Sequence, residues 1–213
     1  SPRAPAPPPP LVWLPRGQSQ GDRRPLEPAR ELAPVTGVSV TVPATMELRI
    51  GSSESVTIET DDNLLPLIET VIENGTLKIR PVKRNTSFKP RTMKIVVYAK
   101  DIDRLSLGGS GSIESDALHG GKLHFDLGGS GAIRLKGMDA ESVSINVGGS
   151  GKFTSGAGKS ASLSVSIGGS GDVDAGQVQT SEASVSVAGS GTAIVWANSA
   201  LSVRYGHPDQ FYD

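Results

Sequence analysis

The amino-acid sequence predicts an all-β fold, a single-stranded parallel β-helix (solenoid) with twenty-residue rungs and an irregular β-rich N-terminal part. Two patterns support this fold: a glycine-rich phrase recurs at a constant spacing, and aliphatic residues recur in columns between its copies. The composition agrees, with 26 glycines and only 4% aromatic residues. A strict period of this length is typical of solenoids, in which each repeat is one rung and successive rungs stack.

The glycine-rich phrase occurs five times at intervals of twenty residues. Its copies are LSLGGSGS (105–112), FDLGGSGA (125–132), INVGGSGK (145–152), VSIGGSGD (165–172) and VSVAGSGT (185–192). We interpret each copy as a tight corner, because glycine adopts positive φ and its missing side chain lets rungs stack closely. The predicted structural corner ladder is Gly109, Ser110, Gly111, Gly129, Ser130, Gly131, Gly149, Ser150, Gly151, Gly169, Ser170, Gly171, Gly189, Ser190 and Gly191. Ala188 replaces the first glycine in the last copy, so that position does not require positive φ. We expect the stacked serines to form a ladder of hydroxyl hydrogen bonds.

Aliphatic columns flank the corner and define the predicted core. They are Leu105, Phe125, Ile145, Val165, Val185; Leu107, Leu127, Val147, Ile167, Val187; Leu123, Val143, Leu163, Ala183; and Ile113, Ile133, Phe153, Val173, Ala193. Polar residues alternate with these columns, which indicates strands with one face buried. Each rung is therefore predicted to hold a strand, the corner, a second short strand, and a longer return near 116–121 that contains a third strand.

The chain divides into three parts by composition. Residues 1–35 are predicted to form a disordered linker or tether, since ten of the fifteen prolines fall within 1–34; Trp13 is unusual there and is expected to dock on this chain or another. The solenoid domain spans 36–204, with an irregular part at 36–100 and regular rungs at 101–204. Residues 205–213 form either a cap, through Tyr205, Phe211 and Tyr212, or a shortened end whose edge pairs with another molecule.

Two features stand out in the irregular part. The dipeptide Asn74-Gly75 between two alternating segments predicts a hairpin with a type I′ turn. The segment RPVKRNTSFKPR (80–91) predicts a basic loop. An acidic glycan or a lipid head group would suit this loop, although a solvated loop is the favoured interpretation.

Composition excludes several classes of function. The formal net charge is −1, which gives no overall field to attract nucleic acid or an anionic membrane. There are no cysteines, so disulfides and thiolate metal sites are excluded. No apolar run approaches the ~18 residues of a spanning helix. Because the sequence begins with Ser1 and not with Met, we expect a processed or trimmed form from which a signal peptide has been removed, and the absence of cysteine fits an exported bacterial protein.

No catalytic, cofactor or metal residues are predicted. The repeated phrase lacks the Gly-Lys-Ser/Thr of a phosphate loop and the pattern of a nucleophile elbow. In calcium-binding nonapeptide repeats an Asp follows the third glycine by two positions, and Ile113 and its equivalents stand there. Asp172 with Asp174 is interpreted as a surface pair, and Asp61-Asp62-Asn63 as a turn. His119, His124 and His207 are interpreted as surface residues, although the first two are near enough in sequence to approach each other.

The segments 38–79 and 94–111, followed by the GSG rungs, resemble a bacterial family known as the putative auto-transporter adhesin, head GIN domain. The resemblance covers about 36–204 and implies a right-handed parallel β-helix in an exported envelope or surface protein. It implies no assigned activity and no catalytic residues. The chain departs from the pattern where a sixth GSG would fall at 209–211, since Asp209-Gln210-Phe211 stands there.

The functional expectation is a non-enzymatic, periplasmic or cell-surface domain that acts as an adhesin or structural binding module. Its outer faces carry Ser, Thr and Asn, which suit a glycan or an envelope protein as partner. Two alternatives stay open: a sensory or partner-binding module that uses an open solenoid end, with oligomers formed by end or edge pairing, and a β-helix enzyme acting on polysaccharide. The enzyme is disfavoured because the column Glu114, Arg134, Thr154, Asp174, Ile194 mixes signs and types.

Overall fold

A computed structural model describes residues 12–15 and 35–206, and within them the chain forms sixteen β-strands in a single sheet. The strands are β1 (Val12–Pro15), β2 (Gly37–Val40), β3 (Thr45–Ile50), β4 (Ser55–Thr60), β5 (Ile68–Glu73), β6 (Thr76–Pro81), β7 (Met93–Ala99), β8 (Arg104–Gly109), β9 (Ser112–Ser115), β10 (Leu118–Gly129), β11 (Ala132–Leu135), β12 (Met138–Val147), β13 (Lys152–Ser155), β14 (Gly158–Ile167), β15 (Asp172–Ala188) and β16 (Thr192–Gly206). A short 3-10 turn covers Leu65–Leu67. No helix in these ranges has the length and hydropathy needed to span a membrane.

The sheet is wound into a solenoid, which confirms the predicted fold class. Strands that precede the corner form what we call the front face, in the order β5-β6-β2-β8-β10-β12-β14 and then the second halves of β15 and β16. Strands that follow the corner form the back face, in the order β1-β4-β7-β3-β9-β11-β13 and then the first halves of β15 and β16. Each rung thus contributes one segment to each face.

The regular rungs stack in parallel with a register of twenty residues. Leu105 pairs with Phe125, Phe125 with Ile145, and the same interval continues through Val165 to Val185. The predicted third strand is present, because β10, β12 and β14 each begin in the return and run on into the front face. Every rung therefore bonds its backbone to the next rung along most of its length.

The core is a narrow aliphatic stack between the faces. Members of the four predicted columns are at most 6% exposed, apart from Ala193 in the last rung, which is half-buried. The rings of Phe125 on the front face and Phe153 on the back face meet across the core with centroids 5.0 Å apart. Alternation of apolar and polar residues therefore identified the core side of each strand correctly.

The corner joins the two faces through closely stacked glycines. Gly109, Gly129 and Gly189 have φ values of +90°, +98° and +130°, a region that favours glycine. Rungs are bonded here through the backbone, for example by Gly131 N donating to Gly109 O at 3.0 Å. Among residues 35–206, no hydrogen bond joins the hydroxyls of the five central serines. The corner is thus a ladder of main-chain hydrogen bonds, and the predicted ladder of serine hydroxyls is wrong.

The N-terminal part builds two further rungs whose order in space differs from their order in the chain. The rung made of β2 and β3 lies between the β6–β7 rung and the β8–β9 rung. The hairpin predicted at Asn74-Gly75 joins β5 to β6 in antiparallel pairing, with positive φ at both residues, and is confirmed. The strand β4 also runs antiparallel to its neighbour β7.

The solenoid is closed at its N-terminal end. The segment between β4 and β5 passes from the back face to the front face, and it buries Leu64, Leu65 and Ile68 in the core. Asp61 O accepts a hydrogen bond from Leu64 N at 2.9 Å, so the predicted turn at 61–63 starts this closing segment. Strand β1, which lies within the predicted linker, pairs with β4 and places Trp13 in register with Val56. The rest of the predicted linker and residues 207–213 lie outside the described residues.

Candidate functional site

A groove runs along the front face parallel to the solenoid axis. Two neighbouring cavities, of about 340 and 390 Å³, share Ser142 and Ser144 and so form one continuous depression. The polar lining residues are Asp103, Arg104, Lys122, His124, Ser142, Ser144, Ser162, Ser164, Glu182, Ser184 and Ser202, and the apolar ones are Leu123, Val143, Leu163, Ala183, Ala200 and Leu201. We call this depression the front-face groove. It spans six rungs, which is about 24 Å at about 4.8 Å per rung.

The groove lies where each rung turns from the return onto the front face. Strand pairing is interrupted there at one position per rung, between Gly120 and Lys122 in β10 and at the equivalent place in β12 and β14. The residues that follow are mainly serines, whose short side chains leave the floor of the groove low. Each hydroxyl offers one donor and two acceptor sites, so the serine rows present a regular array of hydrogen-bonding groups.

The 340 Å³ cavity, which we call the first cavity, carries the positively charged side chains of the groove. The 390 Å³ cavity is called the second cavity. Arg104 on β8 is in register with His124 on β10, and Lys122 lies two residues earlier on the same face. Within the described part of the chain, neither Arg104 nor Lys122 forms an ion pair. His124 is engaged, because its Nε2 lies 2.8 Å from Oδ2 of Asp126. The opposite end of the groove carries Glu182, so its two ends differ in charge.

The back face has a second groove, of about 380 Å³, in which opposite charges are paired. Arg134 lies 3.6 Å from Glu114, and Lys136 lies 3.3 Å from Asp116. Arg49 donates hydrogen bonds to the hydroxyl of Tyr98 at 2.8 Å and to Glu47 at 2.6 Å, and these two partners raise the pKa of Arg49. The charges are satisfied within the protein, so this face offers less to a ligand than the front-face groove.

The acidic and histidine residues singled out in the sequence are used in local contacts. Asp172 accepts a hydrogen bond from the Thr192 hydroxyl at 2.6 Å, and Asp174 accepts one from Gly176 N at 3.0 Å. His119 does not meet His124; its Nδ1 lies 3.5 Å from Asp139. Residues 35–206 contain no group of three or more potential metal ligands. His207 lies outside the described residues.

The predicted basic loop connects β6 to β7, where other rungs have the glycine corner. Its first residue, Arg80, bonds Glu69 at 2.8 Å and approaches Glu73 at 3.4 Å. The bond to Glu69 raises the pKa of Arg80, while Lys78, followed by Arg80, lowers the pKa of Glu73. The later basic residues of the loop are mostly exposed. The loop belongs to the corner edge, and it does not line the front-face groove.

The C-terminal end of the solenoid differs from the closed N-terminal end. Leu201, Val203 and Tyr205 of β16 are in register with Ala183, Val185 and Val187, and so belong to the core columns. They are nevertheless 55%, 44% and 62% exposed, because no further rung lies over them within the described residues. Two register shifts together shorten this last rung to eighteen residues along the front face. The end of the core is therefore an apolar surface.

Fold and register together define a β-solenoid, and comparison with known proteins identifies the family. The chain belongs to the family described as "Putative auto-transporter adhesin, head GIN domain", whose model matches residues 35–206. This confirms the resemblance found in segments 38–79 and 94–111. No curated protein matches the chain.

Solved structures of similar fold include proteins from Bacteroides and Parabacteroides species. A protein from Bacteroides fragilis described as a putative adhesin is 15% identical, with a TM-score of 0.59 over 82% of this chain and 93% of that one. A protein from Parabacteroides distasonis described as a putative lipid binding protein is 20% identical, with a TM-score of 0.56 over 81% and 94%. At these identities the likeness is one of fold.

The sequence did not reveal the front-face groove. The serine rows were visible as polar columns, but the depression depends on the interrupted pairing between return and front face. Arg104 and Lys122 were also missed. The sequence did contain a signal for them, namely a change of residue type along the outward-facing columns. Arginine, lysine and histidine occupy the groove positions in the first two rungs, whereas serine occupies most of them in the later rungs.

Proposed function

We propose that this protein is a non-enzymatic binding module of the cell envelope or cell surface, and that the front-face groove binds a glycan chain. The observation that carries the proposal is the continuous array of hydroxyls along the groove, from Ser142 to Ser202. A polysaccharide presents hydroxyls at regular intervals and is matched by donors and acceptors repeated on successive rungs. The family description as an adhesin supports a binding role, and an adhesin requires export to the envelope.

The groove does not have the arrangement expected of a polysaccharide-cleaving enzyme. Glycoside hydrolysis generally uses two carboxyl groups about 5–10 Å apart. The carboxylates that line the groove, Asp103 and Glu182, are four rungs apart, or about 19 Å at about 4.8 Å per rung. This separation supports binding over hydrolysis.

A glycan array probed with the full chain, combined with a pull-down from envelope extract, tests the proposal. We expect defined glycans to be bound, with no change in their chain length on incubation. Ser164→Arg places a long side chain on the groove floor and should abolish that binding. The matched control is Thr154→Arg, an exposed strand position on the back face of the adjacent rung, which should bind as the wild type does. If no glycan on the array is bound and the pull-down enriches one envelope protein, the glycan proposal is contradicted.

A second candidate function uses the C-terminal end, and the exposed core residues of β16 favour it. For this surface we propose a second copy of the chain as the partner, joined end to end through β16. The N-terminal end is closed, so the contact pairs like ends. Strand β16 has 15 residues, so its edge is about 50 Å long and about 10 Å wide. Two copies would bury about 1,000 Å², near the lower limit for a specific interface.

The edge of β16 also lacks the usual protection against pairing. Charged residues and proline commonly guard exposed edges, but Arg204 is the single charged residue in this strand and proline is absent from it. Its ladder is irregular at two places, between Val195 and Trp196 and between Ala197 and Ala200, and is in regular register from Ala200 to Gly206. An unguarded edge beside an exposed apolar core favours association.

Light scattering across a concentration series tests the end-to-end contact. The full chain should form a dimer, and the double variant Leu201→Lys/Val203→Lys should be a monomer with an unchanged strand signal in circular dichroism. Thr154→Lys, far from the end, should remain dimeric. A wild type that is monomeric at every concentration would overturn the proposal.

A further inference from the structure

We infer that the first cavity of the front-face groove is an anion subsite, and that the glycan bound by the groove is acidic, with a carboxylate or sulfate held between Arg104 and Lys122. This inference rests on the proposed function and specifies the ligand class for the same groove. Both side chains line the 340 Å³ cavity together with His124 and the hydroxyls of Ser142 and Ser144. The cavity thus combines two positive charges with neutral donors.

The two cations lack partners within the described protein, in contrast to those of the back face. Arg134 and Lys136 on the back face are each within 4 Å of a carboxylate on the adjacent rung. Arg104 and Lys122 have no such contact among the described residues, and the nearby Asp126 is bonded to His124 and to Asn146 at 3.2 Å. The carboxylate of Asp103 is the remaining negative charge at the cavity. An external anion would therefore complete the charge pairing here.

The charge at the opposite end gives the ligand a direction. Glu182 is exposed in the second cavity, four rungs from Arg104 in register. It repels an acidic group there, while the serines between the two ends accept neutral sugar hydroxyls. The acidic sugar is therefore placed at the first cavity, and the rest of the strand extends toward the last rung.

A polysaccharide fits these features better than an anionic membrane does. A membrane surface attracts clusters of several basic residues acting together. Along the groove, Arg104 and Lys122 are offset by Asp103 and Glu182, so the groove as a whole attracts no extended negative surface. A single acidic group on a narrow chain meets only the positive end.

The experiment compares polymers that differ in charge alone. Calorimetric titration of the full chain with polygalacturonate, and with the same polymer fully methyl-esterified, isolates the carboxylate. Comparison of dextran sulfate with dextran isolates the effect of sulfate in the same way. Phosphatidylglycerol vesicles test whether the bound anion is a lipid head group instead. We expect at least one acidic polymer to bind about tenfold more tightly than its neutral counterpart, and this preference to decline with salt.

The variant Arg104→Gln/Lys122→Gln should lower the affinity for the acidic polymer to that of its neutral counterpart, so that the roughly tenfold preference is lost. Lys152→Gln/Lys159→Gln, which removes the same charge from two exposed sites outside the groove, should retain it. Equal loss in both double variants would reduce the effect to overall charge and overturn the subsite. If neutral polymers bind as tightly as acidic ones, the anion subsite is refuted. The proposed function still stands in that case, provided that Ser164→Arg abolishes the binding of both polymers. Binding to vesicles alone, or to nothing, would refute both.

Discussion

At the scale of single residues, close stacking constrains both glycines of the Gly-Ser-Gly motif, since a Cβ on Gly149 would clash with Gly129 O, and the first glycine has a second constraint. The first takes positive φ in three rungs, at Gly109, Gly129 and Gly189. The second is required by close stacking, because a Cβ on Gly151 would lie 2.5 Å from Gly131 O and 2.9 Å from a methyl carbon of Leu127. The glycine before the motif has neither constraint, which explains why Ala188 replaces it in the last copy.

This difference predicts the stability of two alanine variants. Gly151→Ala should lower the free energy of unfolding by about 1–3 kcal/mol, because the added methyl group overpacks a main-chain contact that cannot move independently. Gly148→Ala is the matched control three residues away, since a Cβ there meets no atom within 4 Å. Chemical denaturation followed by circular dichroism measures both. Equal midpoints for the two variants would show that close stacking does not require the second glycine.

The corner serines show where sequence reasoning stopped at this scale. A column of identical hydroxyls suggested side-chain bonds between rungs, but the distance between stacked rungs is already bridged by backbone donors such as Ser130 N to Gly109 O at 3.1 Å. Side-chain direction depends on the local backbone, and a column of sequence identity does not specify it.

At the scale of elements, the rung is the unit of folding and the register is its constraint. The columns predicted the regular rungs fully, because pairing between neighbours twenty residues apart is local in a solenoid. The N-terminal part was less predictable. Its strands were visible as alternating segments, but the insertion of the β2–β3 rung between β6–β7 and β8–β9 involves contacts between distant segments, and alternation carries no information about partners.

Register predicts the outcome of deletions. Removing residues 160–179 deletes one full rung and joins Lys159 to Thr180, which occupies the place of Ser160 in the next rung. The shortened protein should fold with the same strand signal, because every remaining residue keeps its face. Removing the ten residues 160–169 instead should abolish cooperative unfolding, since it joins the return to the corner. Thermal unfolding of the two deletion variants, followed by circular dichroism, measures the difference. Near-equal melting temperatures would contradict the prediction that register determines folding.

At the scale of the whole molecule, the solenoid presents four distinct surfaces. The back face pairs its own charges, the N-terminal end buries Leu64 and Leu65, the front face holds an open groove, and the C-terminal end exposes core residues. The repeat itself builds the scaffold, while the features available for binding arise where successive rungs differ from one another. Arg104, Lys122 and Glu182 are such differences within otherwise serine-rich rows.

The most direct test of glycan binding in the groove uses the absence of native cysteine in the chain. A single cysteine introduced at Ser164, in the groove, or at Thr154, on the back face of the adjacent rung, can carry an environment-sensitive fluorophore. Titration with the glycan selected on the array should change the fluorescence at position 164 in a saturable manner and leave position 154 unchanged. Equal responses at both positions, or a response at 154 alone, would contradict the account.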